Sequence, residues 1–228
     1  MTFAARCFAV VPCAGVGQRA GAGGPKQYAP LAGTSVVART LAALADVPRL
    51  SNTMVVLSPD DTQFEAHAPA FRGWTTRTGG ATRAASVAAG LAALRTRGVH
   101  DDDWVLVHDA ARCLLRPAWV QRLIDACIGD AVGGLLALPI ADTIKQETEG
   151  RVATTVPRAG KWAAQTPQMF RLGLLERALR EAGDQVTDEA SAVEALGQAP
   201  RLVPGDFENL KITWPADFAL AARLLETR

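Results

Sequence analysis

Short runs of apolar residues alternate along this chain with longer stretches whose apolar positions recur every three or four residues. The short runs predict strands at 7–11, 53–57, 74–77, 104–107, 134–138 and 201–203, and the longer ones predict helices at 36–45, 62–68, 83–96, 118–128, 173–181, 189–196 and 216–226. Runs apolar on both faces belong inside a mainly parallel sheet covered by helices. The expected fold class is therefore α/β, doubly wound and Rossmann-like. Residues 142–156 break the alternation: Ile144, Val152 and Val156 flank the polar turn Glu149-Gly150, which reads as a hairpin. So small a hairpin cannot bury its own apolar residues and needs cover from elsewhere.

Composition narrows the classes. The 228 residues are 49% hydrophobic and 21% charged, with a net charge of +1 and no basic run. That is the make-up of a soluble globular protein, with no electrostatic footprint for nucleic acid or a membrane surface. The expectation is one domain, 1–228, with 142–156 as an arm. Cys7, Cys13, Cys113 and Cys127 form no CxxC pair, and His67, His100 and His108 lie far from them, so no zinc spacing exists. Reduced thiols and a cytoplasmic address are expected. The apolar N-terminal stretch runs directly into a glycine loop, which suits a first strand better than a signal peptide.

Candidate chemistry lies in the loops that follow the strands. After the first comes Pro12-Cys13-Ala14-Gly15-Val16-Gly17-Gln18-Arg19, then three more glycines and Pro25-Lys26-Gln27. Glycines let backbone N–H groups approach phosphate oxygens, and Arg19 and Lys26 add positive charge. A plain strand-to-helix turn would also use glycine. A dinucleotide-binding loop fits poorly, because Ala20 stands where the third fingerprint glycine is due. Two cations suit a triphosphate. A second glycine loop, Gly79-Gly80-Ala81-Thr82-Arg83-Ala84-Ala85-Ser86, follows the third strand and opens a helix, with Thr82 also readable as its cap. The strand 104–107 then delivers His108 and Asp109 at its carboxyl end. Asp109 is a hard-oxygen candidate for Mg²⁺, although a cap is a duller use for it, and His108 reads as a structural hydrogen-bonding residue. The run 101–103 reads as a solvated turn.

The segments PCAGVGQR with PKQY, GGATRAASV, WVLVHDAAR, ADTIK, TVPR with WAAQTPQMF, TDEASAVEALG and NLKIT occur in this order. Together they resemble the 2-C-methyl-D-erythritol 4-phosphate cytidylyltransferases over essentially the whole chain. HDAAR and TDEASA favour that family over its sister, the ribitol-5-phosphate cytidylyltransferases. The resemblance implies in-line attack of the acceptor phosphate on the α-phosphorus of CTP, with Mg²⁺, in a homodimer. It implies that Arg19, Lys26 and Lys211 act on the transferring phosphate. Pro12, Cys13, Ala14, Gly15, Val16, Gly17, Gly80, Ser86 and Ala110 would hold the nucleotide, and Asp109 the metal. Arg112 would order the Asp109 loop at the acceptor side, where Thr143, Arg158, Thr166 and Thr187 would bind the polyol phosphate, Arg158 serving the other subunit. On local grounds alone Thr187 reads as a helix N-cap, Thr166 as a turn residue and Lys211 as a surface lysine. Joint presence of Lys26, Asp109 and Lys211 favours turnover over a binding-only module.

Overall fold

The computed structural model describes residues 5–15, 17, 20, 21, 23–183 and 186–227. A seven-stranded sheet runs through it, built from β1 (Cys7–Pro12), β4 (Leu50–Val56), β5 (Trp74–Thr76), β6 (Trp104–Val107), β7 (Gly133–Pro139), β10 (Trp162–Arg171) and β11 (Arg201–Pro204). The spatial order is β11-β7-β10-β6-β1-β4-β5. Two small hairpins, β2 (Pro30–Leu31) with β3 (Thr34–Ser35) and β8 (Ile144–Thr148) with β9 (Arg151–Val156), stand apart from it.

Alternate side chains of the central strands feed two separate cores. On one face Ala9 and Val11 of β1 join Leu106 of β6, α1 (Val36–Ala45) and α4 (Pro117–Cys127). On the other, Phe8 and Val10 join Val105 and Val107, packed by α3 (Arg83–Arg95), α5 (Leu172–Ala182) and α6 (Glu189–Ala195). This is why the strands read as unbroken apolar runs. α7 (Pro215–Glu226) seals a third cluster around Leu31, Val36, Leu114 and Ile212.

Local signals set the helix starts. Ser35 caps α1 by accepting from Ala38 N, and Thr82 caps α3 by accepting from Ala85 N. Asp188, not Thr187, caps α6 in a capping box with Ser191, so the local reading of Thr187 as the cap is off by one residue. The predicted helix 62–68 contracts to the single turn α2 (Phe64–His67).

The sequence reading omits β10. This strand pairs antiparallel with both β6 and β7, and its register shifts between Ala164 and Gln168. Its polar Gln165, Thr166 and Gln168 and its Pro167 disguise it, since a proline inside a run argues against a central strand. All other pairings in the sheet are parallel.

Chain order now fixes where a ligand can bind. β1 leads through α1 to β4 on one side, while β6 lies on its other side, so the winding reverses between β1 and β6. Loops leaving the carboxyl ends of those strands diverge there and open a crevice. The two loops are 13–17 and 108–112.

The close seating of α3 gives a test of the packing. A Cβ on Gly90 would lie 2.7 Å from Val56 Cγ2 and 2.8 Å from Val10 Cγ1. Gly90→Val should therefore lower stability by about 2 kcal/mol in urea unfolding. Gly129→Ala, with open space around it, should stay within roughly 0.5 kcal/mol of the parent.

Candidate active site

At the divergence point lies a cleft of about 520 Å³ lined on one side by Pro12, Cys13, Ala14, Gly15, Gly17 and Lys26. Gly79, Gly80, Ala81, Thr82, Arg83 and Ser86 form a second wall, and Asp109, Ala110, Ala111 and Lys211 form the third. The two glycine loops meet, as the sequence predicts. A Cβ on Gly79 would sit 2.4 Å from Ala14 Cβ, so the approach requires glycine.

The first loop is shaped by two residues beyond it. Gln27 is buried, and its side-chain amide donates to Cys13 O at 3.0 Å and Gly15 O at 2.9 Å. Both amide hydrogens are thereby committed to loop carbonyls. Lys26 donates through Nζ to Ile212 O at 2.7 Å, and its methylenes cross Gly17 so closely that a Cβ there would meet Cγ at 2.5 Å. Gly17 also has φ of +61°, which excludes most side chains. Val16 and Arg19, both named from sequence, lie outside the described residues.

Ser86 faces the cleft but works within its own loop. Its Oγ donates to Thr82 O at 3.0 Å and accepts from Gly80 N at 3.2 Å, closing the turn that presents Gly80.

Asp109 is 7% exposed and is surrounded by cations. Arg83 Nε donates to Oδ1 at 2.8 Å, Lys211 Nζ lies 2.7 Å from Oδ2, and Arg112 Nε is 3.9 Å from Oδ2. Burial pushes its pKa up, but Arg83, Lys211 and Arg112 outweigh that and hold it well below the usual carboxylate range. Lys211 is exposed, as the local reading has it, but its ammonium is held on Asp109. Its segment is fixed by buried Asn209, which donates to Thr166 O at 2.9 Å, and by Ile212 N, which bonds Ala111 O at 2.9 Å. Arg112 donates to Asn209 O at 2.6 Å and so ties the same segments together.

Beneath Asp109 runs a chain of hydrogen bonds with only one consistent proton arrangement. Arg112 O can only accept, so His108 Nε2, 3.2 Å away, must carry a hydrogen. Neutral His108 then accepts at Nδ1 from the Thr166 hydroxyl at 3.1 Å, and that oxygen accepts from Asp109 N at 3.1 Å. Burial lowers the His108 pKa to about 4. His108 is thus structural, as its isolation in the sequence implies, and buried Thr166 is more than a turn residue.

Of the remaining acceptor candidates, Thr187 lines a small pocket that shares Thr82 and Arg83 with the cleft, whereas Thr143 and Arg158 line neither. Thr187 is exposed beside Ser191, and Thr143 and Arg158 are exposed at the two ends of the β8–β9 hairpin, with Arg158 donating to Ala141 O. Sequence reasoning assigned no role to Gln27 or to Arg83, which bridges Asp109 and Glu189. PKQY and GGATRAASV contained both, but neither residue type announces a loop clamp or a carboxylate bridge.

A nucleotide-sized cleft at a topological switch point, lined by two glycine loops, two lysines and one buried, ionised carboxylate, is that of a nucleotidyltransferase. Residues 7–227 match the model of the family described as IspD: 2-C-methyl-D-erythritol 4-phosphate cytidylyltransferase, and the chain belongs to that family. It is 56% identical over 228 residues to the 2-C-methyl-D-erythritol 4-phosphate cytidylyltransferase of Chromobacterium violaceum, covering 96% of this chain and 98% of the relative. It is 58% identical over 224 residues to the bifunctional enzyme IspD/IspF of Albidiferax ferrireducens, covering 98% of this chain but 54% of that protein, so it spans about half of that relative's length. A crystal structure of 4-diphosphocytidyl-2C-methyl-D-erythritol synthase superposes with a TM-score of 0.87 at 41% identity, covering 98% of this chain and all of that one. The 2-C-methyl-D-erythritol 4-phosphate cytidylyltransferase of Thermus thermophilus superposes with a TM-score of 0.80 at 32% identity, covering 97% and 99%. Among the described residues no helix is long and apolar enough to cross a membrane.

The His108 chain makes acid stability testable. An unfolded chain takes up the imidazole proton near 6.5, the folded one only near about 4, so the unfolded state binds more protons in between. Stability should fall as pH drops through that window, by roughly 3 kcal/mol if this group acts alone. Urea unfolding from pH 7 to 4 checks this, and His108→Gln should flatten the slope.

Proposed function

We propose that this chain transfers CMP from CTP to 2-C-methyl-D-erythritol 4-phosphate, giving 4-diphosphocytidyl-2-C-methyl-D-erythritol and pyrophosphate. The observation that carries the reading is the gathering, in one cleft, of the glycine loop, Lys26 and the Asp109–Lys211 pair. A phosphate oxygen of the acceptor attacks the α-phosphorus of CTP, the bond from that phosphorus to the bridging oxygen breaks, and pyrophosphate leaves with the electron pair. No covalent enzyme intermediate is needed, so positioning and charge neutralisation carry the rate.

In this reading the backbone from Pro12 to Gly17, with Gly80, Ser86 and Ala110, holds the nucleotide. Arg19, Lys26 and Lys211 act on the phosphates. The donor set also fits Mg²⁺: Asp109 supplies one hard oxygen, and that ion commonly takes one or two carboxylates with substrate phosphates and water. Among the described residues no cluster of three or more His, Cys, Asp or Glu offers a full protein cage. Bound there, Mg²⁺ would neutralise triphosphate charge and favour pyrophosphate as the leaving group.

The acceptor half draws on the hairpin. The β8–β9 strands have no fully buried residue, and Val152 is 64% exposed. Apolar surface on a two-stranded ribbon favours cover by a second copy, and a dyad would give two equivalent sites. Thr143 and Arg158 would then serve the partner's acceptor phosphate. Thr187 would complete that half from α6, while Arg112 and Thr166 order the Asp109 loop behind it. A cytoplasmic enzyme is the corresponding setting, consistent with four free, buried cysteines.

Pyrophosphate release from CTP and Mg²⁺ with either 2-C-methyl-D-erythritol 4-phosphate or ribitol 5-phosphate tests the reaction. Turnover should require the methylerythritol substrate, and equal or faster use of ribitol 5-phosphate overturns the assignment. In the same assay Lys26→Ala should lower kcat by about 100-fold, more than it weakens CTP binding.

Sharing of the site has its own test. Lys26→Ala and Arg158→Ala, each strongly impaired alone, are mixed under conditions that exchange subunits. Heterodimers carry one site with both lesions and one with neither, so activity should partly return. A mixture that stays inactive despite verified exchange would mean that Arg158 serves its own subunit.

A further inference from the structure

Arg83, the first residue of α3, spans two carboxylates, Asp109 after β6 and Glu189 on α6, that are distant in the sequence. Its Nε donates to Asp109 Oδ1, while Nη1 and Nη2 hold Glu189 Oε1 at 2.7 Å and Oε2 at 3.0 Å. Glu189 is completely buried on the first turn of α6 and does not line the cleft. It therefore cannot touch a nucleotide, and its two oxygens face the guanidinium as a parallel fork. Asp109 keeps Oδ2 for Lys211 on the cleft side.

We propose that Glu189 is a positioning residue for the transfer, gripping Arg83 so that only one N–H reaches Asp109 and Oδ2 stays turned to the cleft. The inference rests on the reading of Asp109 as the carboxylate that serves the triphosphate and its cation. A guanidinium fork matches a carboxylate best when both arms engage. Freed from Glu189, Arg83 can swing its fork onto Asp109 and cover both oxygens. Lys211 then loses its partner, and an incoming cation must compete with a bidentate arginine. The geometry also links the halves of the site. Glu189 lies two residues after Thr187, so the start of α6 and the orientation of Asp109 are fixed by the same grip.

A contribution to stability alone is the rival account. Replacing a buried pair's member usually destabilises the fold, and that would leave the metal response unchanged. Glu189→Gln keeps size and one acceptor but removes the charged fork. In a folded Glu189→Gln protein, kcat should fall about 10-fold or more, the Mg²⁺ concentration for half-maximal rate should rise several-fold, and KM for CTP should change less than kcat. Calorimetric titration with CTP, with and without Mg²⁺ and in the absence of acceptor, should show that the gain in affinity from Mg²⁺ shrinks. If Glu189 works through Asp109, its effect should vanish in the Asp109→Asn background, because coupled residues are not additive.

Wild-type Mg²⁺ dependence in folded Glu189→Gln, or effects that simply multiply in the double variant, overturn the proposal. Should Glu189→Gln fail to fold, Arg83→Lys decides, since a single ammonium cannot hold both carboxylates in this geometry. A folded Arg83→Lys protein is expected to show the same weakened Mg²⁺ response, and a normal response refutes the grip. Failure of the functional reading looks different: the parent protein would then show neither Mg²⁺-dependent CTP binding in the calorimeter nor pyrophosphate release.

Discussion

A carboxylate buried at the end of a central strand must be neutralised, and the way this chain neutralises Asp109 dictates the layout of its site. Taking one such ion out of water costs several kcal/mol even after relaxation. Asp109 recovers that cost from Arg83 on α3, Arg112 in its own loop and Lys211 near the C-terminal helix. Arg112 is three residues on, but Arg83 and Lys211 are remote from it in sequence. Their convergence draws the α3 loop, the β6 loop and residues 209–212 together at the cleft, and Lys26 ties the first loop to them through Ile212 O.

The same constraint explains why the site is ready before any ligand arrives. Asp109 stays ionised far below neutrality, and its surplus of cations gives the cleft a positive lining against a triphosphate. Behind it, the His108–Thr166 chain locks the Asp109 backbone N–H, while Ala110 O is held by Thr40 of α1 at 2.8 Å. A preformed arrangement of this kind lowers the reorganisation required when charge moves between phosphates.

Much of this was legible in the residue order, for physical reasons. Strands buried on both faces have to be apolar throughout, so β1, β4 and β6 announced themselves, and the loops after β1 and β5 had to contain glycine to approach one another. Asp109 was legible because a strand end fixes where it points. Three features were hidden. β10 breaks the apolar pattern because Gln165 and Gln168 take buried hydrogen bonds with Asn209, Asp206 and Asp188 instead of contributing to a core. Gln27 is an uncharged residue whose role exists only once two loop carbonyls converge on it. Arg83 and Glu189 are 106 residues apart, and no spacing rule connects them.

The site also divides by how finished it is. Its nucleotide side is assembled within one chain from buried or clamped groups, whereas Thr143, Arg158 and Thr187 are exposed and outside the cleft. Exposed long side chains on a ribbon lose rotamer freedom when they bind, so holding a dianionic acceptor with them alone would be weak. Cover from a second subunit would order the ribbon through its apolar residues, and the arginine would then meet the phosphate without meeting that cost at the moment of binding. In that proposal the exposed apolar side of β9 and the exposed Arg158 after it would serve one requirement, the ordering of the ribbon against a partner.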